Sequence, residues 1–361
     1  MNIRIRIINE DEIHSVNEVY NVAYGNIRPD KFYEWEFLKG TWGKAIYIVA
    51  EDQDRTGNKI IGTQCAIPIK FINSEGNEIL TAKSEDTYVH PDYRGHKLFD
   101  SMYDLLFAEC KKANIQYIWG FTYARKPFEK IGFEIPFETI QGISVNSISK
   151  SYNYLALLNS KNNYIEKLKI YTLCIYSYIV FSILYIFSFS KINHIVEEFN
   201  FKIFYNLFQK LLRSNKNLWS INKTNNYFQW RLIDNPFDNL YSQLSFYEGS
   251  NSIANVIINR RKEGFIYIED MIFDNSITTK NKIYILKSLF RYIKKKYSYS
   301  LIRFWGFPTN QINKEEISLL KKCGFVFVNK GTYFVWKTLV DENNIEPFNI
   351  LISRLYTQGN R

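Results

Sequence analysis

Cysteine is scarce in this chain. Only 4 occur in 361 residues, Cys65, Cys110, Cys174 and Cys323, and no two form a C-x-x-C pair. That excludes a disulfide scaffold or a thiolate zinc knot and fits a reduced compartment. Histidine is as sparse: His14, His90, His96 and His194 share no H-x-x-x-H spacing, so no metal is expected. With 16 Gly and 8 Pro, the chain is neither collagen-like nor a low-complexity linker. Residues Met1 to Arg6 run into Glu10-Asp11-Glu12 without an apolar signal core, so a cytoplasmic location is expected.

What the chain has in abundance is aromatic surface. Trp, Tyr and Phe number 7, 27 and 28, or 17% of the residues, enough apolar area to offset chain entropy. The length suits two domains. Charge divides unevenly between them. Residues 1–150 carry 18 Lys+Arg against 21 Asp+Glu, net −3, which leaves 28 against 15, net +13, for residues 151–361. An excess so placed suits an anionic partner, or a solvated lysine-rich face.

Along the first part, Ile3, Ile5 and Ile7 alternate as a strand, and Asp11 is the expected cap of a helix carrying Ile13, Val16, Tyr20 and Ala23. Residues 45–50, 59–71 and 78–89 read as strands joined by short turns, hence antiparallel. A break at His90-Pro91-Asp92-Tyr93-Arg94-Gly95-His96-Lys97 precedes a helix with Leu98, Met102, Leu105 and Leu106, and residues 115–121 form the next strand.

An internal repeat sets the architecture. Phe32-Tyr33-Glu34-Trp35 recurs as Tyr227-Phe228-Gln229-Trp230, and Glu85-Asp86 as Glu269-Asp270. Trp119-Gly120-Phe121 recurs as Trp305-Gly306-Phe307, and Lys130-Ile131-Gly132-Phe133 as Lys322-Cys323-Gly324-Phe325. The offsets are 195, 184, 186 and 192, so the landmarks keep their order with small insertions. Two copies of one α/β (α+β) domain are expected at 1–148 and 217–340, with a linker at 149–216 and a helical tail at 341–361.

The linker is unusual. Ile170 to Ser190 is a 21-residue run without a charge, about 31 Å as a helix. Lysines flank it on both sides, at Lys161, Lys167, Lys169 and Lys191. Three readings stand: an interfacial or re-entrant membrane contact, a buried inter-domain helix, and a single span, the last at odds with a packed repeat because it would separate the copies. Residues 192–213 follow as an amphipathic stretch expected either to lie on anionic lipid, with Lys202, Lys210 and Arg213 toward headgroups, or to cover the core.

A strand ending at Val89, then a basic turn with Gly95, then a helix from Leu98, makes a phosphate-sized nest of free amides at a helix N-terminus. Arg94, His96 and Lys97 add donors. The second copy reads Asp274-Asn275-Ser276-Ile277-Thr278-Thr279-Lys280 at this place, with neither Arg nor Gly. There the fold is expected without the nest, and that copy is expected to complete the cleft rather than to hold a phosphate.

This order of elements, with Val89-His90-Pro91-Asp92-Tyr93-Arg94-Gly95-His96-Lys97-Leu98-Phe99 and Phe128-Glu129-Lys130-Ile131-Gly132-Phe133, resembles the GNAT N-acetyltransferase superfamily over about residues 1–140. The tandem arrangement resembles the two-domain type of bacterial surface-polysaccharide pathways. The resemblance implies tandem GNAT-like domains, each a mixed, mostly antiparallel sheet flanked by helices. It also implies acetyl-CoA as co-substrate, bound by Tyr88, Val89, Arg94, Gly95, His96, Lys97, Leu98 and Phe99. The chain departs from the family at Lys97 and Phe99, where small residues are usual, and at Phe128, where a tyrosine general acid is common. By the same resemblance Glu85 is the candidate base, Asp86 the second, and Tyr123 the candidate proton donor to the leaving thiolate. Because strand residues alternate, one of Glu85 and Asp86 is expected to face the acceptor cleft and the other to face away.

The implied activity is acetyl transfer to a primary amine, a small-molecule or lipid-linked acceptor such as an amino sugar on a nucleotide or lipid carrier. If the uncharged run and the amphipathic stretch meet lipid, the protein is expected to be peripheral on the inner face of a membrane. Two alternatives remain at this stage. One is a peptidoglycan-bridge transferase using aminoacyl-tRNA, the only reading that involves nucleic acid. The other is a non-catalytic GNAT-derived module that binds membrane surfaces.

Overall fold

The structure is a computed structural model that describes residues 2–25, 27–157, 163–186, 195–237, 240–328, 331–340 and 345–356. The chain forms two compact units, each assembled from three stretches: residues 1–137, 219–237 and 332–348 in the first, and 138–218, 238–331 and 349–361 in the second. These differ from the contiguous ranges 1–148 and 217–340 read from the repeat.

In the first unit, strands β1 (Ile3–Ile7), β2 (Ile46–Asp52), β3 (Ile60–Asn73), β4 (Glu78–Val89) and β5 (Tyr117–Thr122) lie in that order. The first three pairings are antiparallel, and β4 runs parallel to β5. Beyond β5 the sheet continues with Tyr333–Thr338, which pairs antiparallel with it (Trp336 opposite Trp119), and then Glu134–Glu138. The second unit repeats this plan. Its sheet runs Val326–Val328, Ile140–Val145, Leu301–Gly306, Phe265–Phe273, Asn251–Arg260, Leu240–Glu248, Ile195–Glu197. The last strand of each copy is therefore inserted in the other copy's sheet, which is why each unit is discontinuous in sequence. Mixed, mostly antiparallel sheets flanked by helices are as expected.

The helix Leu98–Lys112 packs on one face of the first sheet through Leu98, Met102, Tyr103, Leu106 and Cys110, all buried. Each contributes about 1.5 to 3 kcal/mol as an upper estimate. The close approach needs Gly62, where an added Cβ would meet Met102 Sδ at 3.1 Å. On the other face, Val16, Tyr33 and Phe37 pack against Tyr47, Val49, Cys65 and Ile67. Asp11 is not the cap of the helix Ile13–Tyr24. It lies within a 3-10 turn, Glu10–Glu12, where Glu12 accepts a bond from the Asn9 amide at 2.9 Å.

The aromatic landmark of the repeat has a structural reason. Trp35 and Trp230 sit on matching π-helical turns, Glu34–Leu38 and Gln229–Ile233. Each indole N–H donates to the other's carbonyl, at 2.8 and 2.9 Å, and the rings stack at 5.3 Å.

In the second unit, the helix Phe201–Arg213 is amphipathic as expected, but its apolar face is internal: Phe204, Leu207, Phe208, Leu211 and Leu212 are buried. Of its two sequence readings, covering the core is the one realised. Residues 192–194 lie outside the described residues. The uncharged run belongs to the helix Tyr164–Ile186. Cys174, Ser177 and Phe181 are buried on one side of it, and Ser177 Oγ accepts the Val145 amide at 3.1 Å. Residues 187–190 lie outside the described residues.

Candidate active site

Strands β4 and β5 pair only from Thr81–Tyr117 to Lys83–Trp119. Past that point β4 continues through Ser84 to Val89 and diverges from β5, leaving a wedge with backbone groups on its edges. Register on the β3 side is interrupted here: Cys65 faces Glu85 and Thr63 faces Tyr88, so Asp86 and Thr87 together oppose Gln64. This is a β-bulge, with Asp86 at φ 54° in left-handed conformation.

The bulge overturns the expected alternation of Glu85 and Asp86. Glu85 lies opposite Cys65, on the face of the sheet that also carries Tyr47. Asp86 reaches the same face, since its carboxylate accepts bonds from the Tyr47 hydroxyl and from Arg28 Nη1, the latter at 2.8 Å. An extra residue cancels one half-period of the strand, so neighbours in sequence become neighbours on one face.

The two carboxylates nevertheless have different fates. Asp86 and Arg28 are each 3% exposed as side chains, and Arg28 lies 4.0 Å over the Tyr20 ring and donates to Asn17 Oδ1 at 2.7 Å. Burial, and then the Asp86 charge, push the Tyr47 hydroxyl pKa well up, so Tyr47 stays a proton donor to Asp86. Asp86 is thus walled into a structural network. Glu85 is 21% exposed and forms an ion pair with Lys83 Nζ at 2.6 Å. Burial pushes the Lys83 ammonium below its usual range, against the opposing pull of Glu85. Lys83 was missed in the sequence, although its i−2 position on a strand places it on the face of Glu85. On the opposite face Gln64 Nε2 donates to Ser84 Oγ at 3.0 Å, and Ser84 Oγ lies 2.7 Å from Tyr103 Oη. No sequence signal marks that chain.

The turn after β4 leads into the helix Leu98–Lys112. Pro91–Tyr93 forms a single 3-10 turn, and the Tyr93 hydroxyl donates to Asp52 at 2.7 Å, holding that carboxyl below its usual range. Arg94, Gly95, His96 and Lys97 are exposed. Gly95 has φ 89°, and open space surrounds the position of a Cβ there. Lys97, where the resemblance leads one to expect a small residue, is left-handed, φ 58°, and caps the helix without a side-chain hydrogen bond. The first intrahelical bond runs from the Ser101 amide to Lys97 O, 3.0 Å. The amides of Leu98, Phe99 and Asp100 have no acceptor inside the helix, and the helix dipole adds positive potential there.

The remaining sequence candidates divide by position. Tyr88 and Val89 are half-buried at the end of β4. Leu98 belongs to the core, and Phe99 joins an aromatic cluster with Tyr103 and Phe128 at 4.8 and 5.4 Å. Tyr123 is 79% exposed beyond β5. Open amides, exposed cations and a splayed strand edge can together hold a diphosphate and an extended amide-bearing arm, with Glu85 near the root of the wedge.

At the matching place in the second unit, Thr278 caps the helix Thr279–Lys296, its hydroxyl accepting the Asn281 amide. A cavity of about 200 Å³ beside it is lined by Met271, Phe273, Lys282, Glu315 and Glu316 among others, with Lys282 paired to Glu315 at 2.8 Å. These carboxylates disfavour a phosphate.

A family model described as an acetyltransferase (GNAT) domain matches residues 4–135. No curated protein matches the chain in sequence. Among solved structures, it is similar to a probable N-acyltransferase from Enterococcus faecalis V583 (TM-score 0.63, 10% identity, 94% of this chain and 72% of that one). It is also similar to a GCN5-related N-acetyltransferase from Anabaena variabilis (0.59, 10%, 94% and 73%). A third is the Saccharomyces cerevisiae N-myristoyltransferase with bound myristoyl-CoA and inhibitors (0.57, 12%, 93% and 79%). At these identities the likeness is one of fold.

Proposed function

We propose, from the match of residues 4–135 to a GNAT acetyltransferase domain model, that the chain moves an acetyl group from acetyl-CoA to a primary amine. The acceptor we favour is an amino sugar on a nucleotide or lipid carrier. The observation that carries acyl-CoA use is the junction from Val89 to Leu98: a left-handed cap that leaves the first helical amides open, beside Arg94 and His96. A pyrophosphate accepts hydrogen bonds from such amides and is favoured by the helix dipole.

Acetyl-CoA supplies an activated thioester. The chain's own part is to hold it, take a proton and steady the charge. Glu85 removes the ammonium proton of the acceptor, with Lys83 keeping the carboxylate aimed at 2.6 Å. Backbone amides on the wedge edge near Tyr88 and Val89 steady the carbonyl oxygen as it becomes tetrahedral. Tyr123 is the donor we assign to the leaving thiolate; Phe128 has no proton to give. The net charge of +13 in residues 151–361 favours an aminoacyl-tRNA reading instead, but the open helix start suits a compact diphosphate.

The test is calorimetric titration of the full chain with coenzyme A, followed by thiol release from acetyl-CoA with amines and nucleotide amino sugars. Saturable binding near one per chain is expected. No binding at all would remove this reading and leave the two non-coenzyme alternatives.

A further inference from the structure

The helix Tyr164–Ile186 has 23 residues, and the face opposite its buried Cys174, Ser177 and Phe181 is apolar and exposed. Ile165, Leu168, Tyr171, Tyr176, Ile179 and Ile183 are 45% to 64% exposed. At 3.6 residues per turn they fall within about 140° of one arc. So many large apolar side chains on one helix face of a folded unit mark a docking surface.

We infer that this face rests in the headgroup region of an anionic lipid bilayer, with the helix lying parallel to the surface. The helix is long and apolar enough to cross a membrane by composition, but its other side is fixed in the second unit. Ser177 bonds the Val145 amide, and Phe181 packs into the core beside Phe290 at 6.2 Å. A helix so held offers lipid one side only, the geometry of an interfacial helix.

Two features select lipid as the occupant. Tyr171 and Tyr176 stand among four aliphatic residues on the arc, and the tyrosine ring and hydroxyl suit the boundary between headgroups and chains. Charge is complementary to an anionic surface. Glu166 is the sole acid from Tyr164 to Ile186, and it pairs with Lys169 at 2.8 Å, while Lys167 is exposed beside them. The second part of the sequence carries +13. The inference stands independently of the acyl-transfer reading.

The test is flotation of the full chain with phosphatidylglycerol–phosphatidylcholine vesicles, beside phosphatidylcholine vesicles alone. Tyr176→Glu with Ile183→Glu alters two exposed positions and should lower the partition coefficient about tenfold or more, with the thermal melt unchanged. Val22→Glu, at a 79% exposed apolar residue of the first unit, should leave it unchanged. Three results would overturn the inference: no flotation with anionic vesicles, an equal loss with Val22→Glu, or a concentration-dependent dimer that the paired substitutions dissolve, which would give the face to a second copy.

Discussion

Two helix starts, Leu98 and Thr279, follow equivalent strands in the two units and differ in what satisfies their free amides. At the first, Lys97 caps in a left-handed conformation with no side-chain bond, and the amides remain open toward exposed Arg94, Gly95 and His96. At the second, the Thr278 hydroxyl accepts the Asn281 amide, and Asp274 takes a bond from the Ser276 amide at 3.0 Å. The second start has become an ordinary, self-satisfied turn. Strand, turn and helix survive in both, which teaches that the fold and the anion site are separable: the fold rests on buried Leu98, Met102 and Leu106 or Ile285, Leu286 and Leu289, the site on a few backbone donors.

The repeated Glu-Asp pair diverges in the same way. Glu85 keeps partial exposure next to Lys83, whereas Glu269 is 2% exposed and locked to Arg354, which stacks 3.4 Å over Tyr267. The largest expected effect follows from that contrast. Glu85→Gln should lower kcat about 10²- to 10⁴-fold with coenzyme A affinity unchanged. Glu269→Gln should instead destabilise the chain by about 3 kcal/mol in urea titration, because it strands the Arg354 charge in the core. Full activity in the Glu85 variant would erase the distinction.

Next in size is the turn. Gly95→Val forces a β-branched residue to φ 89°, where no neighbour blocks it but the backbone is strained. The variant turn is expected to relax out of the left-handed region in the free chain, and restoring it on binding at about 2 kcal/mol corresponds to about a 30-fold loss of coenzyme A affinity by calorimetry. Thr279→Val should leave that affinity as it is, and equal losses from the two changes would refute a single coenzyme site.

The smallest effects have opposite signs. Lys97→Gly relieves left-handed strain and should stabilise by about 1 kcal/mol. Thr278→Ala removes a cap and should destabilise by about 1 kcal/mol. Denaturation midpoints of both variants measure the difference, and a destabilised Lys97→Gly would mean that the Lys97 side chain, not its backbone, holds the turn.

Local chemistry is what the amino-acid sequence by itself determined. Apolar periodicity placed β4 and the helix after it, the basic Gly-containing turn marked the candidate anion site, and four pairs of landmarks exposed the duplication. The first two depend on residues close in the chain, where period and turn chemistry are legible, and the third on the order of short local landmarks. Tertiary structure alone decided the rest. The bulge at Asp86 placed two adjacent carboxylates on one face, and Arg28, 58 positions away, claimed one of them. Strands Ile140–Val145 and Tyr333–Thr338 are exchanged between the copies, and strand patterning does not reveal it, since a period-two strand reads the same in either sheet. Burial likewise separated two apolar helices, turning the face of Phe201–Arg213 inward and leaving one side of Tyr164–Ile186 exposed, because an apolar stripe reads the same whether core or solvent lies opposite it.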